Sequence, residues 1–125
     1  EEIVVFLKLC KQNLTDGGTL FIHTLNGANP LTGSEALAQN FNHFNTMTEY
    51  SLKQVLQHTG FVNTKVFPLN LYIFYENPFN YVGMVLNSIL NLLFRLGFIF
   101  YGKENKLFSK KIAAVSRNYF KQLYE

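Results

Sequence analysis

The sequence has few of the residues that build the best-known functional sites. Among 125 residues there is one cysteine, Cys10, no tryptophan and three prolines. A single cysteine can form no internal disulfide and provides no thiolate pair for a metal. Cys10 is therefore predicted to be a core residue on an apolar helix face, suited to a reducing environment. The dinucleotide fingerprint, the phosphate-binding loop, the serine nucleophile elbow and Cys/His metal spacing are all absent from the sequence.

Charge is also low and scattered. Eleven basic and eight acidic residues give a net charge of +3, without a dense stripe of Lys or Arg. This pattern does not indicate a nucleic-acid partner. The chain opens on Glu1 and Glu2 inside a helical pattern, with neither a basic segment nor a cleavage pattern. We therefore expect no signal peptide, a cytoplasmic location and a chain that is part of a longer protein.

Hydrophobic residues, by contrast, are abundant. They make up 48% of the chain and include 13 Phe and 7 Tyr. A chain of this size and composition can bury one core, so we expect one domain or part of one.

The stretch from residue 13 to residue 26 sets the expected fold class. Gly17 and Gly18 permit a sharp turn, and Thr19–Leu25 is a short run, apolar on both faces apart from His23. Such a run is typical of a strand covered by helices on two sides. A polar loop begins at Asn26. Helix, glycine turn, buried strand and polar loop form the unit of an α/β sheet, whose ligands gather at the carboxyl ends of strands.

The flanking segments give further elements. The apolar residues before the glycines predict an amphipathic helix, with Lys8, Lys11 and Gln12 on its polar side and these residues on its core side: Ile3, Val4, Phe6, Leu7, Cys10 and Leu14. From Thr48 a second helix is predicted, with half of a capping box because Ser51 replaces the usual Glu or Gln. Its predicted buried stripe is Leu52, Val55 and Leu56, and Gly60 ends it.

Two more strands are expected. Residues 63–70 alternate, and Pro68 marks either the strand's end or a sheet edge. Residues 111–116 form the last strand.

Residues 78–101 are the most apolar stretch and predict a long helix. Asn80, Asn87, Asn91 and Arg95 share one face of it, which indicates an amphipathic element. Burial against its own domain is the first interpretation. Lying on a membrane surface or holding a lipid-like substrate is the second, and crossing a bilayer is the third.

The loop of residues 26–46 is the expected place of function, because it is long, polar and follows a strand, with a short helix predicted over residues 34–39. His43 lies in it between Phe and Asn neighbours and is the candidate substrate contact or base. An ordinary structural histidine is the alternative. His23, inside the strand, is interpreted as a satisfied core side chain, and His58 as a residue near a helix C-terminus that suits the helix dipole.

Four segments together resemble class I S-adenosylmethionine-dependent methyltransferases. Residues 14–20 resemble the L-K-P-G-G-x-L turn before the family's fifth strand, and residues 24–26 resemble the T-P-N that ends it. Residues 42–61 are similar to the H-x-x-x-x-T-x-x-S-L-x-x-L-L-x-x-A-G-F helix, and residues 111–116 to the I-x-A-V-A-R last strand. The order is the family's, and the departures are Thr15-Asp16 for Lys-Pro, Leu25 for Pro and Thr59 for Ala.

The resemblance implies an α/β fold: a partial Rossmann-like methyltransferase sheet of the last three strands, with flanking helices and a helical insertion, residues 78–101, before the final strand. Residues 1–125 would then be the C-terminal part of one domain. In the family, S-adenosylmethionine is held mainly by the N-terminal half, so no cofactor-binding residue is expected in this chain. The implied acceptor is a small molecule or is lipid-linked, contacted by Asn26, Asn29, His43 and Asn45, with His43 as the base.

A second function stays open from the residues. The chain could be a non-enzymatic module that uses the helix of residues 78–101 to contact a membrane or a protein, or an inactive member of the family. The acceptor and the oligomeric state do not follow from the sequence.

Overall fold

The structure is a computed structural model that describes residues 1–34, 46–69 and 77–119. Within these ranges three helices and three strands alternate, and the elements, in chain order, are α1 (Glu2–Asn13), β1 (Thr19–Leu25), α2 (Glu49–His58), β2 (Val62–Leu69), α3 (Asn80–Phe100) and β3 (Lys111–Arg117). The expected mixed α/β architecture, with three strands and a helix inserted before the last one, is confirmed.

The sheet has the order β1-β3-β2, and β3 is antiparallel to both neighbours. β1 and β2 therefore run parallel to each other, but β3 separates them. Lys111, the first residue of β3, pairs with Leu25 and with Leu69, the last residues of β1 and β2. Since β3 enters at the edge where its neighbours end, it must run back between them. The parallel pairing expected of an α/β sheet is thus not found between any two of the described strands.

Only one face of β1 is covered by described residues, whereas the sequence predicted that both faces of this strand are covered. Leu20 and Ile22 are partly buried against the core, whereas Thr19, Phe21 and His23 on the opposite face are exposed. The interpretation of His23 as a core side chain is therefore wrong for the described residues, because the alternation of the strand turns it away from the core. The core itself consists of Leu7, Leu52, Leu56, Phe61, Ile112 and Ala114.

α1 docks by a face rotated from the predicted one. Leu7 is fully buried, but Phe6, predicted to face the core, is exposed. Lys11, predicted to face away, lies on the docked side, where its Nζ donates to the carbonyl of Gly60 and sits 5.6 Å from the ring centroid of Phe61. The long aliphatic stem of a lysine can lie along an apolar surface while its ammonium binds a polar group. The prediction, which used the charge of Lys11 alone, therefore put this residue on the wrong side of α1.

α2 has stronger end signals than predicted. The Ser51 amide donates to Thr48 Oγ1 at 3.3 Å, and the Thr48 amide donates to Ser51 Oγ at 2.8 Å, so the capping box is complete. A serine hydroxyl accepts the bond that Glu or Gln would accept, which corrects the half-box expectation. At the other end Gly60 has a φ of 87°, and the Phe61 amide donates to the Leu56 carbonyl at 3.0 Å. This is the glycine termination that the sequence predicted.

β2 lies at an edge of the described sheet, as Pro68 indicated, because it pairs only with β3 there.

α3 departs most from expectation. Its predicted bounds are nearly right, but none of its residues is buried, so the interpretation as a packed core helix is wrong for the described chain. Its attachment includes Phe98, whose ring meets Phe108 edge-on at 4.6 Å between centroids, and Phe94, at 6.4 Å from the same ring. Of the helices in the described ranges, α3 alone is long and apolar enough to cross a membrane by length and composition.

Candidate functional site

Three segments meet at the carboxyl end of β1. The Asn26 amide donates to the Lys110 carbonyl at 3.0 Å, and the Gly27 amide donates to the Met47 carbonyl at 2.9 Å. Asn26 and Met47 also form an isolated parallel bridge. The loop after β1, the segment before α2 and the segment before β3 therefore share one edge, which is the edge where the sequence placed the site.

The Asn26 side chain holds these segments together. It is 1% exposed, and its Nδ2 donates to the carbonyls of Leu107 at 2.8 Å and Ser109 at 2.9 Å. Its Oδ1 accepts from the Ala28 amide at 3.0 Å. Both amide hydrogens of Asn26 are thus committed to backbone oxygens more than 80 positions away in the chain, in a buried bond to Ser109 and a partly buried one to Leu107.

Asn29, three residues later, makes similar side-chain bonds to the backbone. It is 6% exposed, and its Nδ2 donates to the Phe108 carbonyl at 2.8 Å. Its Oδ1 accepts from the amides of Leu31 at 2.9 Å and Thr32 at 3.1 Å. Together the two asparagines bind the carbonyls of three consecutive residues, 107–109, and so fix the loop after β1 against the segment that follows α3.

The structure therefore brings two of the four predicted acceptor contacts together at the expected edge. Asn26 and Asn29 have a clear structural role there, and contact with an acceptor stays a prediction for them. His43 and Asn45 lie outside the described residues, as does most of the short helix predicted over 34–39.

The described flanks nevertheless bracket the segment that carries His43. A Cβ placed on Gly33 would lie 2.5 Å from the Gly27 oxygen, and one placed on Gly27 would lie 2.6 Å from Thr46 Oγ1. A side chain at Gly33 would collide with the Gly27 backbone, and one at Gly27 would collide with the Thr46 side chain, so both positions favour glycine. The chain before residue 35 and the chain after residue 45 thus converge on Gly27, at the end of β1.

A depression of about 400 Å³ lies directly beside this convergence. It is lined by Thr46 and Met47 of the flank and by one face of α2, with Ser51, Gln54, Val55 and His58. The mixture of an aliphatic wall with hydroxyl, amide and imidazole groups suits a small ligand that has both apolar and polar parts.

Contacts between α2 and the segment after α3 were not predicted from the sequence. Glu49 Oε1 accepts from the Lys106 amide at 2.6 Å, and the Tyr50 hydroxyl donates to the Glu104 carbonyl at 2.9 Å. Partial desolvation, and then the carboxylates of Glu49 and Glu104, raise the pKa of Tyr50, which keeps its hydroxyl a donor. One partner in each bond is a backbone group, and backbone groups leave no signal in a residue pattern.

The described residues do not by themselves compose a site for an adenosyl cofactor. Recognition of a ribose in such folds uses a carboxylate at a strand end. Asn26, which follows β1, has both amide hydrogens committed instead, and the Glu49 carboxylate accepts from the Lys106 backbone.

Comparisons with known proteins give a structural likeness. No protein-family profile matches the sequence, and no curated protein matches it. Among solved structures, the chain is similar to the crystal structure of a SAM dependent methyltransferase from Archaeoglobus fulgidus, with a TM-score of 0.57 and 16% identity. The likeness covers 94% of this chain and 52% of that one. The chain therefore has a methyltransferase-like fold and spans about half the length of that enzyme.

Proposed function

We propose that this chain is the C-terminal, substrate-side half of a class I methyltransferase that moves a methyl group from S-adenosylmethionine to a small-molecule or lipid-linked acceptor. The observation that carries the proposal is the likeness of fold to a SAM dependent methyltransferase over 94% of the chain. It is supported by the four motif resemblances and by the convergence of three segments at the carboxyl end of β1.

In this proposal the chain's own contribution is alignment of the acceptor. S-adenosylmethionine supplies an electrophilic methyl group, and transfer is fast when the acceptor atom is held in line with it. The Asn26 and Asn29 bonds to residues 107–109 make the edge rigid, and the depression beside Met47 supplies a wall for the acceptor. His43, between flanks that meet at Gly27, removes the acceptor's proton, and Asn45 assists in binding.

The base role gives the test of function. With tritium-labelled methyl donor and a cell extract, the intact protein is expected to label either the organic or the aqueous phase, which tells a lipid-linked from a small acceptor. His43→Ala should cut the turnover about 100-fold, because a positioned base contributes roughly that factor. His23→Ala, on the exposed face of β1, is the matched control and should stay within about twofold. Unchanged turnover in His43→Ala would show that His43 is not the base. The absence of label from both phases would contradict the proposal that the intact protein is a methyltransferase.

A second prediction concerns the cofactor. Calorimetry of residues 1–125 alone with S-adenosylmethionine should show no binding, whereas the intact protein should bind it. Micromolar binding by the 125-residue chain would contradict the assignment of the cofactor site to residues outside it.

The exposure of α3 favours one other candidate, the non-enzymatic interaction module. The labelling experiment separates the two, since the module would label neither phase.

A further inference from the structure

The polarity of α3 is the reverse of that of an ordinary surface helix. The half-buried positions are Asn80, Asn87, Asn91, Phe94, Gly97 and Phe98. Of these, Phe94 and Phe98 meet the ring of Phe108 in the domain. The outward positions are almost all large and apolar, among them Leu86, Ile89, Leu93, Leu96 and Ile99. In water such a surface is unfavourable at roughly 25 cal/mol for each Å² left exposed, so a continuous strip of this kind indicates something that covers it.

Positive charge is concentrated where the apolar strip ends. A pocket of about 350 Å³ at the C-terminal end of α3 is lined by Arg95, Ile99 and Tyr50, and by the segment that follows the helix: Lys103, Glu104, Asn105 and Lys106. Three cationic side chains lie there with two carboxylates, Glu104 of the lining and Glu49, which accepts from the Lys106 amide, so the excess is one positive charge. Ile99 belongs both to this pocket and to the exposed strip, so the two features form one continuous surface. An apolar strip bordered by excess positive charge is complementary to a bilayer with anionic headgroups.

We propose that this surface, α3 with the basic pocket, is the site at which the protein lies on an anionic phospholipid bilayer. The outward side chains of α3 enter the boundary between headgroups and acyl chains, and Arg95, Lys103 and Lys106 bind lipid phosphates.

The chain connections favour lying on the membrane over crossing it. Leu69 and Lys111 are paired neighbours in the sheet, and ten residues separate each of them from the nearer end of α3. The C-terminal end of α3 is fixed to the domain, because Phe98 packs on Phe108, whose carbonyl is held by Asn29. A 21-residue helix is about 31 Å long. If α3 crossed the bilayer, residues 70–79 would have to return across it, and ten residues reach that far only when extended, with backbone groups that lipid cannot satisfy.

Flotation of the intact protein with vesicles tests the proposal without any methyl transfer, so its failure is distinct from failure of the proposed function. The probes are phosphatidylcholine vesicles and vesicles in which about a third of the lipid is phosphatidylglycerol. The protein is expected to float with the anionic vesicles. Leu93→Asp should lower the partition coefficient at least about tenfold, because Leu93 is 57% exposed on the outward strip and a carboxylate is costly in acyl chains. The matched control is Leu9→Asp on α1, where the side chain is 53% exposed, and it should bind as the unchanged protein does.

The contribution of the basic side chains can be tested separately from that of the apolar side chains. Reversal of both Lys103 and Lys106 to Glu should lower partition into anionic vesicles roughly 20-fold or more, and should remove the preference for them, since each basic residue near such a surface contributes about fivefold. Lys8→Glu on the exposed side of α1 should change it little.

Three results would overturn the proposal. Flotation that Leu93→Asp leaves unchanged would show that α3 is not the contact. A dimer in sedimentation that Leu93→Asp dissociates, with no vesicle binding, would show that a second copy of the chain covers α3. Retention of the protein in membranes at the high pH of a carbonate wash would show that α3 crosses the bilayer. A thermal unfolding midpoint equal to that of the unchanged protein ensures that each variant is folded.

Discussion

Asn26→Asp is expected to destabilise the fold by about 4 kcal/mol at neutral pH, although the two side chains have nearly the same shape. The substitution removes both donors from a side chain that is 1% exposed and leaves the carbonyls of Leu107 and Ser109 facing a carboxylate. Each buried polar group left without its partner costs about 1–3 kcal/mol, and a charged one costs more. The free energy of unfolding from urea titration measures the effect.

The loss should depend on pH in a definite direction. The introduced carboxyl is buried beside two carbonyl oxygens, so its folded-state pKa must lie above its unfolded value. A carboxyl of that kind favours the folded state below the unfolded pKa, and the variant becomes less stable as pH rises through the folded pKa. The difference in unfolding free energy between Asn26→Asp and the unchanged protein should therefore become smaller as the pH is lowered from about 7 to about 5.

Asn13→Asp on the exposed end of α1 is the control for this experiment. Its Nδ2 donates only to the exposed Leu9 carbonyl, so the substitution should cost well under about 1 kcal/mol. A loss in Asn26→Asp no larger than that would mean that Asn26 does not hold the edge together.

Asn26 and Asn29 show what the sequence can and cannot predict about this edge. The pattern placed Asn26 and Asn29 correctly after a strand, in a polar loop at a sheet edge. It did not reveal that their partners are backbone carbonyls of residues 107–109, because every residue has a carbonyl and nothing local indicates which one will be near. A polar residue in a loop can hold that loop or bind a ligand, and composition does not tell the two apart.

Elements with local end signals were predicted well. Gly17, Gly60 and Pro68 each fix a backbone geometry within a few residues, and the strands and α2 begin and end close to where these residues placed them. The direction of β3 was not predicted, since alternation within a strand carries no information on its partners. The exposure of α3 was missed for a related reason: an apolar helix must be covered, but its sequence does not say whether the covering surface belongs to the same chain.

Phe61→Ala is the second prediction and should cost about 4 kcal/mol of unfolding free energy. Phe61 is 2% exposed and packs with Leu7, Leu56 and Ile112, so its ring joins α1, α2 and β3 in one core. Truncation of a buried phenylalanine loses the transfer free energy of the ring and leaves a cavity, which together amount to about 3–5 kcal/mol. Phe100→Ala, where the side chain is 88% exposed, removes the same atoms and should cost less than about 0.5 kcal/mol.

A double-mutant cycle would separate packing from the cation contact at the same ring. Lys11 Nζ lies 5.6 Å from the Phe61 centroid and also donates to the Gly60 carbonyl. Lys11→Met keeps most of the stem, so it should cost about 1–2 kcal/mol, largely from the lost bond to Gly60. The coupling with Phe61→Leu should be only about 0.5–1 kcal/mol, the usual strength of a cation beside an aromatic ring at a partly exposed site. A coupling near zero would show that the ring contact contributes nothing and would assign the cost of Lys11→Met to the lost bond to the Gly60 carbonyl.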